Sequence, residues 1–337
     1  MRFEYYHAAL DAVPKLSVDG LVPHAVHLTH WRGNRTPAKL KADTSTEIAL
    51  NLAAAPDRAE LTQGIELVTN NHFDTDGVLS VWTVLAGERA LALSAQLVAA
   101  AGAGDFSELT TPAGVRASLV IQGSDTPVPD AAGLAAPLAR RLNGGADVDE
   151  ARAYELLLPE VERVLTRTDD YEELWRAPWQ EIERALDSFA RGASRVTEDA
   201  AARLSIVTLA PELYGAHGFK PTRHAAPYTA IARHARGQIF LIAIPMQAGF
   251  AYRIDYPYYS WADTVVRPQV ARRDLSPALA RLNELERDSS ARWQEDDNEL
   301  TSAAKSVDDN EMLCASRLAP DEVAAALRSA SVLSSTA

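Results

Sequence analysis

The stretch Ile65 to Trp82, IELVTNNHFDTDGVLSVW, decides how this chain is read. Ile65, Leu67 and Val68 form a short apolar run of strand type. His72, Asp74 and Asp76 follow it, and Gly77 then turns the chain into the apolar-periodic run Val78, Leu79, Val81 and Trp82. Side chains of extended backbone alternate, so residues 72, 74 and 76 project to one side while Phe73 and Thr75 point to the other. That geometry can converge on one cation. The plain alternative is that Asp74 and Asp76 cap the following helix and His72 packs at a strand end.

Working outward, FEYYHAAL, Pro14 and Asp19-Gly20 read as a short ordered arm ending in a turn, and Ala25 to His30 alternates weakly like a strand. Ser45 opens a helix with Glu47 in its first turn. The loop between them holds His30, Trp31, Gly33, Asn34, Thr36 and Pro37. It is either a turn whose Asn34 and Thr36 satisfy local backbone groups or a substrate-binding loop presenting His30 and Asn34. Asp43 is either part of the helix cap region or a carboxylate directed into a site. Beyond the central stretch, Ala86 to Ala101 is a helical pattern ending at AGAGD, which puts Asp105 just past a helix end. There it completes a metal site or caps a helix beginning near Phe106.

Residues 122 to 134 and 143 to 150 are turn-rich, and from Asp149 to Ala190 the apolar residues recur at helical spacing. From Arg203 the runs LSIVTLA, APYTAIARHA, QIFLIAIPM and GFAYRIDYPYYSW read as short strands, the last two joined as a hairpin through Met246 to Gly249. Tyr214, His217, Lys220, Arg223, His224 and Tyr228 lie in the same region. Arg253 with Tyr252, Tyr256, Tyr258, Tyr259 and Trp261 either packs as a strand surface or forms a pocket in which the arginine grips an anionic group. Asp274 to Pro277 begins a further helix, and Pro320 to Leu333 forms the last one.

A chain of 337 residues with 47% hydrophobic content can bury a sizeable core. Its formal charge of -13, from 33 Lys plus Arg against 46 Asp plus Glu, disfavours extended nucleic acid and anionic membranes as partners. A small anionic substrate remains compatible, because a bound cation and a few arginines reverse the field inside one cleft. The N-terminal MRFEYYHAALDAVPK carries acidic and polar residues where a signal peptide needs an apolar segment, so the expectation is a soluble, cytoplasmic protein. Cys314 is the only cysteine, which removes intrachain disulfides and cysteine-rich zinc sites.

Imidazole combined with hard carboxylate oxygens suits Mn²⁺, Fe²⁺, Co²⁺ or Zn²⁺ better than Ca²⁺. A carboxylate such as Asp76 can bridge two such ions, and phosphoester cleavage is the natural use of the pair. The segment NHFDTDGVLSVW resembles the first signature of the DHH phosphoesterase superfamily, which includes exonucleases, cyclic-dinucleotide phosphodiesterases and, with a similar metal layout, family II pyrophosphatases. The resemblance implies that His72, Asp74 and Asp76 bind metal, Mn²⁺ foremost with Zn²⁺, Fe²⁺, Co²⁺ or Mg²⁺ as alternatives, and that Asp105 matches the aspartate of the next motif. KPTRHAAPYTA resembles the family's substrate loop and points to Arg223 and His224. No Asp-His-His triplet and no three-glycine loop occur in this chain.

The expected fold is α/β: a Rossmann-like parallel sheet flanked by helices, with a helical middle and a smaller C-terminal α+β portion. The expected divisions are an N-terminal metal-binding domain over 1–145, a helical connector over 146–200 and a C-terminal substrate-binding domain over 201–337. The expected function is a DHH-like metal-dependent hydrolase cleaving a phosphoester or phosphoanhydride of a small molecule or short nucleotide through a metal-activated water. Within it, His217 and His224 act as catalytic groups, and His30, Asn34, Arg223, Arg253 and Tyr256 contact substrate. The alternatives are a divergent metalloenzyme with a non-phosphate substrate in specialised metabolism, or a non-catalytic ligand-binding protein.

Overall fold

The computed structural model describes residues 1–122, 149–214, 227–296 and 301–328. It is a mixed α/β protein with a parallel four-stranded sheet and a second, mixed sheet. The chain divides into two units, the first containing residues 1–122, 149–180 and 262–268 of those described, the second 181–261 and 269 onward. The boundaries expected from the sequence lie at 145 and 200. Instead the helices that follow residue 149 pack within the first unit, and the division falls inside the helix Glu172–Ala190.

In the first unit the strands β1 (Arg2–Phe3), β2 (Lys15–Val18), β3 (Val26–Leu28) and β4 (Leu67–Thr69) pair in the order β1-β4-β2-β3, all parallel. Every residue of β2 and β4 is buried, as expected of a parallel sheet covered by helices. Between β3 and β4 lie α1 (Ser45–Ala54) and the short α2 (Arg58–Leu61), and after β4 come α3 (Thr75–Ala86), α4 (Ser94–Phe106) and α5 (Pro112–Ile121). Thr44 and Glu47 form a capping box on α1, and Asp74 caps α3 by accepting from the Gly77 N–H at 2.7 Å.

The run Thr75–Phe106 is long and apolar enough in sum to cross a membrane. It is built as two helices separated by a 3-10 segment, with Gly87 at φ 63 ending the first, and most of α3 is buried. Asp105 therefore lies in the last turn of α4 and not beyond a helix end, and no helix starts near Phe106. Ser107, at φ 52, terminates α4 in the left-handed region.

The second unit is organised by a seven-stranded sheet whose main path runs β5 (Arg195–Asp199), β6 (Leu204–Thr208), β7 (Ile239–Met246), β8 (Gly249–Asp255), β10 (Ser302–Val307), β9 (Arg292–Glu295), with β11 (Ala315–Ser316) pairing β8. Side chains alternate across it. Leu204, Ile206, Ile239 and Leu241 pack with Leu279, Leu282, Val323 and Leu327 on one face, while Val207, Phe240 and Ile242 pack with Ala185, Phe189 and Ile231 on the other. The hairpin through Met246 and Gly249 forms as expected. APYTAIARHA does not form a strand: Tyr228–His234 is helical and starts after Pro227, with Tyr228 to Ile231 all buried. Burial on consecutive residues satisfied a strand reading equally well, and packing on the sheet decided for the helix.

Candidate metal centre

The carboxyl ends of three adjacent parallel strands carry the site, the edge where open α/β sheets place ligands. Asp19 follows β2 directly, His30 stands two residues beyond β3, and the Asn70 to Asp76 loop leaves β4. Among the described residues two overlapping groups result. Asp19, His30, Asp76 and Asp105 form one, and Asp19, His72 and Asp74 form the other, each with ligand atoms within 4.8 Å of one another.

Asp19 belongs to both. Its Oδ1 lies 3.4 Å from His30 Nε2 and its Oδ2 lies 3.2 Å from His72 Nε2. Asp19 sits at φ 53, a conformation an aspartate tolerates, and a Cβ on the following Gly20 would stand 2.2 Å from the Asn71 Oδ1. The loop after β4 thus presses on the turn after β2. His30 Nε2 is 3.1 Å from Asp105 Oδ2 and 3.9 Å from Asp76 Oδ2, and His72 Nε2 is 3.2 Å from Asp74 Oδ2.

Both histidines are oriented through their other nitrogen. His30 Nδ1 lies 2.5 Å from the Asp43 carbonyl, and His72 Nδ1 lies 3.2 Å from Asn71 Oδ1. With Nδ1–H donated to those oxygens, each Nε2 is turned toward carboxylates, the arrangement typical of metal-ligating imidazoles. The loop carrying His72 is braced by Tyr154, whose hydroxyl donates to the His72 carbonyl and accepts from Asn70 Nδ2, both at 2.9 Å.

Asp74 and Asp76 each do two things. Asp74 caps α3 with Oδ1 and turns Oδ2 to His72, whereas Asp76 accepts from the Ser45 and Thr46 N–H groups at 2.6 and 2.8 Å and so caps α1. Because helix begins at Thr75, the alternation expected over 72 to 76 stops at Asp74. His72 and Asp74 therefore join one group and Asp76 the other, and the shared carboxylate is Asp19 rather than Asp76. Asp105 reaches the first group because α4 passes close to α3: a Cβ on Gly104 would lie 2.5 Å from Thr75 Cβ.

Burial separates the groups. The side chains of Asp19, His30 and Asp76 are inaccessible and Asp105 is nearly so, whereas 27% of His72 and 23% of Asp74 remain exposed. Oδ2 of Asp19 and of Asp105 are buried without a hydrogen bond of regular angle, although an imidazole nitrogen faces each at 3.2 and 3.1 Å. Buried carboxylate oxygens are costly in that condition, and a cation between the donors would satisfy them.

Without a cation the cluster holds protons. Burial pushes Asp105 up to about 7, with the charge of Asp74 adding to it, and burial raises Asp76 well above the ordinary carboxylate range, followed by the charges of Asp105 and Asp19. Asp74 is also raised, first by burial and then by Asp19. For Asp19 burial acts upward, but the imidazoles of His30 and His72 outweigh it and hold it below the usual range. Burial acts downward on both histidines, yet the facing carboxylates raise them well above an ordinary imidazole. Divalent ions would take the place of those protons.

The other residues named from the sequence fall elsewhere. Asn34 Nδ2 donates to the Trp31 carbonyl at 2.9 Å and to Asp263 Oδ2 at 3.0 Å, and its Oδ1 accepts from the Thr36 N–H, so its amide is engaged by its own loop and by Asp263. Arg253 and Tyr256 belong to the second unit. Arg253 Nη2 is paired with the buried Asp255 at 3.0 Å, the strand-surface arrangement that its setting among tyrosines also allows. Tyr256 accepts from the Arg273 N–H at 2.9 Å, carries Arg272 over its ring at 4.2 Å, and borders a cavity of about 540 Å³. His217, Arg223 and His224 lie outside the described residues.

Asp19 is not among the residues the sequence singles out, and His30, expected at the substrate, stands in a metal-ligand group. The signal for Asp19 is the run KLSVDG, a short buried strand ended by Asp-Gly, which repeats in miniature the strand-to-aspartate pattern of residues 65 to 77.

The fold and site define a mixed α/β protein with an Asp/His centre at parallel strand ends. Over residues 1–330 the chain matches a family described as a family of unknown function (DUF6687), and it belongs to that family. No curated protein matches it.

Proposed function

We propose that the protein is a metal-dependent hydrolase of DHH-like type, built on a Rossmann-like parallel-sheet unit, that cleaves a phosphoester or phosphoanhydride of a small molecule or short nucleotide. The observation that carries this reading is the pair of Asp/His groups sharing Asp19. Asp19, His30, Asp76 and Asp105 would hold one ion, and Asp19, His72 and Asp74 the other. The imidazole and carboxylate donors suit Mn²⁺, with Zn²⁺, Fe²⁺, Co²⁺ and Mg²⁺ as competitors.

When bound, two such ions supply Lewis-acid polarisation of a phosphoryl oxygen and an activated water at neutral pH. The chain's own contribution is orientation. Asp43 and Asn71 hold the histidine tautomers, the amides of α1 hold Asp76, and Asp19 fixes the spacing of the two groups. His72 and Asp74 retain solvent access, so substrate approaches on their side. His217, Arg223 and His224 are proposed to handle the substrate, which is a small anion and not extended nucleic acid, in the cytoplasm.

Purified protein supplied with Mn²⁺ is expected to hydrolyse bis(p-nitrophenyl) phosphate or pyrophosphate, and the Asp74→Ala, Asp76→Ala double variant to lose that activity. Unchanged activity in the double variant overturns the reading.

A further inference from the structure

Residues Ala262–Pro268 belong to the first unit although the chain on both sides of them belongs to the second. What anchors this segment is Asp43. Its carboxylate accepts the backbone N–H groups of Val265, of Val266 at 2.7 Å and of Arg267 at 2.9 Å, and it pairs with Arg267 Nη1 at 2.7 Å. The remaining edge of the same guanidinium grips both oxygens of Glu108, Nε at 2.7 Å and Nη2 at 2.5 Å, while its Cζ lies over the Phe106 ring, 4.6 Å from the centroid.

These partners adjoin two of the proposed ligands. The Asp43 carbonyl orients His30, Phe106 and Glu108 follow Asp105 across the end of α4, and the Phe106 ring packs 5.7 Å from the His30 ring. One planar cation thus ties the residue that aims His30 to the helix end that carries Asp105. A lysine would keep the charge but do this only in part, because the task needs a rigid fork meeting two carboxylates at once.

We propose that Arg267, held by Asp43 and Glu108, is a positioning residue that sets the separation of His30 and Asp105 and so the affinity of the buried ion position. This rests on the metal-hydrolase reading. Substitutions of groups behind metal ligands typically weaken metal binding by about 10- to 100-fold, and that is the effect expected at one of the two positions. Among the described residues, no hydrogen bond or ion pair ties Arg267 or its two carboxylate partners to His72 or Asp74.

The test titrates metal-free wild type, Arg267→Ala, Arg267→Lys and Glu108→Gln with Co²⁺, following the visible absorption of the bound ion and the ion content after gel filtration. The expected result is two ions on wild type, with one of them selectively weakened and its spectrum altered in Arg267→Ala, and a smaller change in Arg267→Lys. Should Arg267→Ala fail to fold, Arg267→Lys and Glu108→Gln decide. Folded variants that bind both ions with wild-type affinity and spectrum, whatever their melting temperature, overturn the assignment and leave Arg267 a structural brace. Wild type that takes up no Co²⁺ overturns the hydrolase reading and this assignment with it, so the two failures are distinguishable.

Discussion

Asp19→Asn isolates the shared carboxylate with the least change of shape, since an asparagine oxygen can still accept from Ser45 Oγ, which donates to Asp19 Oδ1 at 2.8 Å. What is lost is the charge facing both His30 and His72. Substitutions of groups one layer behind a ligand weaken metals by about 10- to 100-fold, so removing a shared ligand should cost at least ~100-fold at each position. At a Mn²⁺ concentration of about 100 times the wild-type Kd, each ion stabilises the folded protein by about 2.7 kcal/mol, and a 100-fold weaker ion by only about 0.4 kcal/mol. For a unit of this size about 2–4 °C accompanies each kcal/mol, so Mn²⁺ should raise the wild-type melting temperature by roughly 5–10 °C per ion and that of the variant by about 1 °C. Intrinsic fluorescence melts with and without Mn²⁺ read this directly, since Trp31 stacks edge-on against His72 at 5.5 Å. A variant that keeps the wild-type shift refutes the role given to Asp19.

Three further outcomes are expected. Mn²⁺ affinity should rise from pH 6 to 8 with net proton release, because His30 and His72 are raised in the metal-free centre and Asp105 sits at about 7, so that a cation competes with fewer protons as the pH rises; calorimetry in two buffers of different ionisation enthalpy measures it, and a flat profile counts against the cluster. Gly104→Ala should destabilise by about 1–3 kcal/mol through overpacking on Thr75, read by chemical denaturation, and should weaken one ion by displacing Asp105. In the second unit, Arg253→Met should cost about 3–5 kcal/mol by leaving Asp255 buried and unpaired. Burial already raises Asp255, so the folded form holds its proton more tightly than the unfolded form. The deficit should therefore shrink as the pH falls through the folded value, and a pH-independent deficit would contradict this account.

The legible part of the centre was its local part. His72, Asp74 and Asp76 stand within five residues of one another behind an apolar run, and a strand-to-helix turn gathers such side chains without help from the rest of the chain. Asp19 lies far from them in sequence, and only the parallel pairing of β2 with β4 brings it beside His72. Nonlocal pairing of short buried strands leaves almost no periodic trace, because β2 and β4 are uniformly buried rather than alternating. The dual use of Asp76 was equally hidden: its cap partners are the amides of α1, not those of its own helix. At Arg253 the sequence leaves a strand surface and an anion pocket open, and the ion pair it makes depends on Asp255, two residues along the strand, sharing its face.

The proposed two-ion centre is organised around Asp19. Elemental analysis of wild-type and Asp19→Asn protein, each loaded with Mn²⁺ and passed through gel filtration, tests it most directly. About two ions per chain on wild type, one for each Asp/His group, and a clear loss in the variant are predicted. Wild type that retains no ion, or a variant that retains as much as wild type, would contradict it.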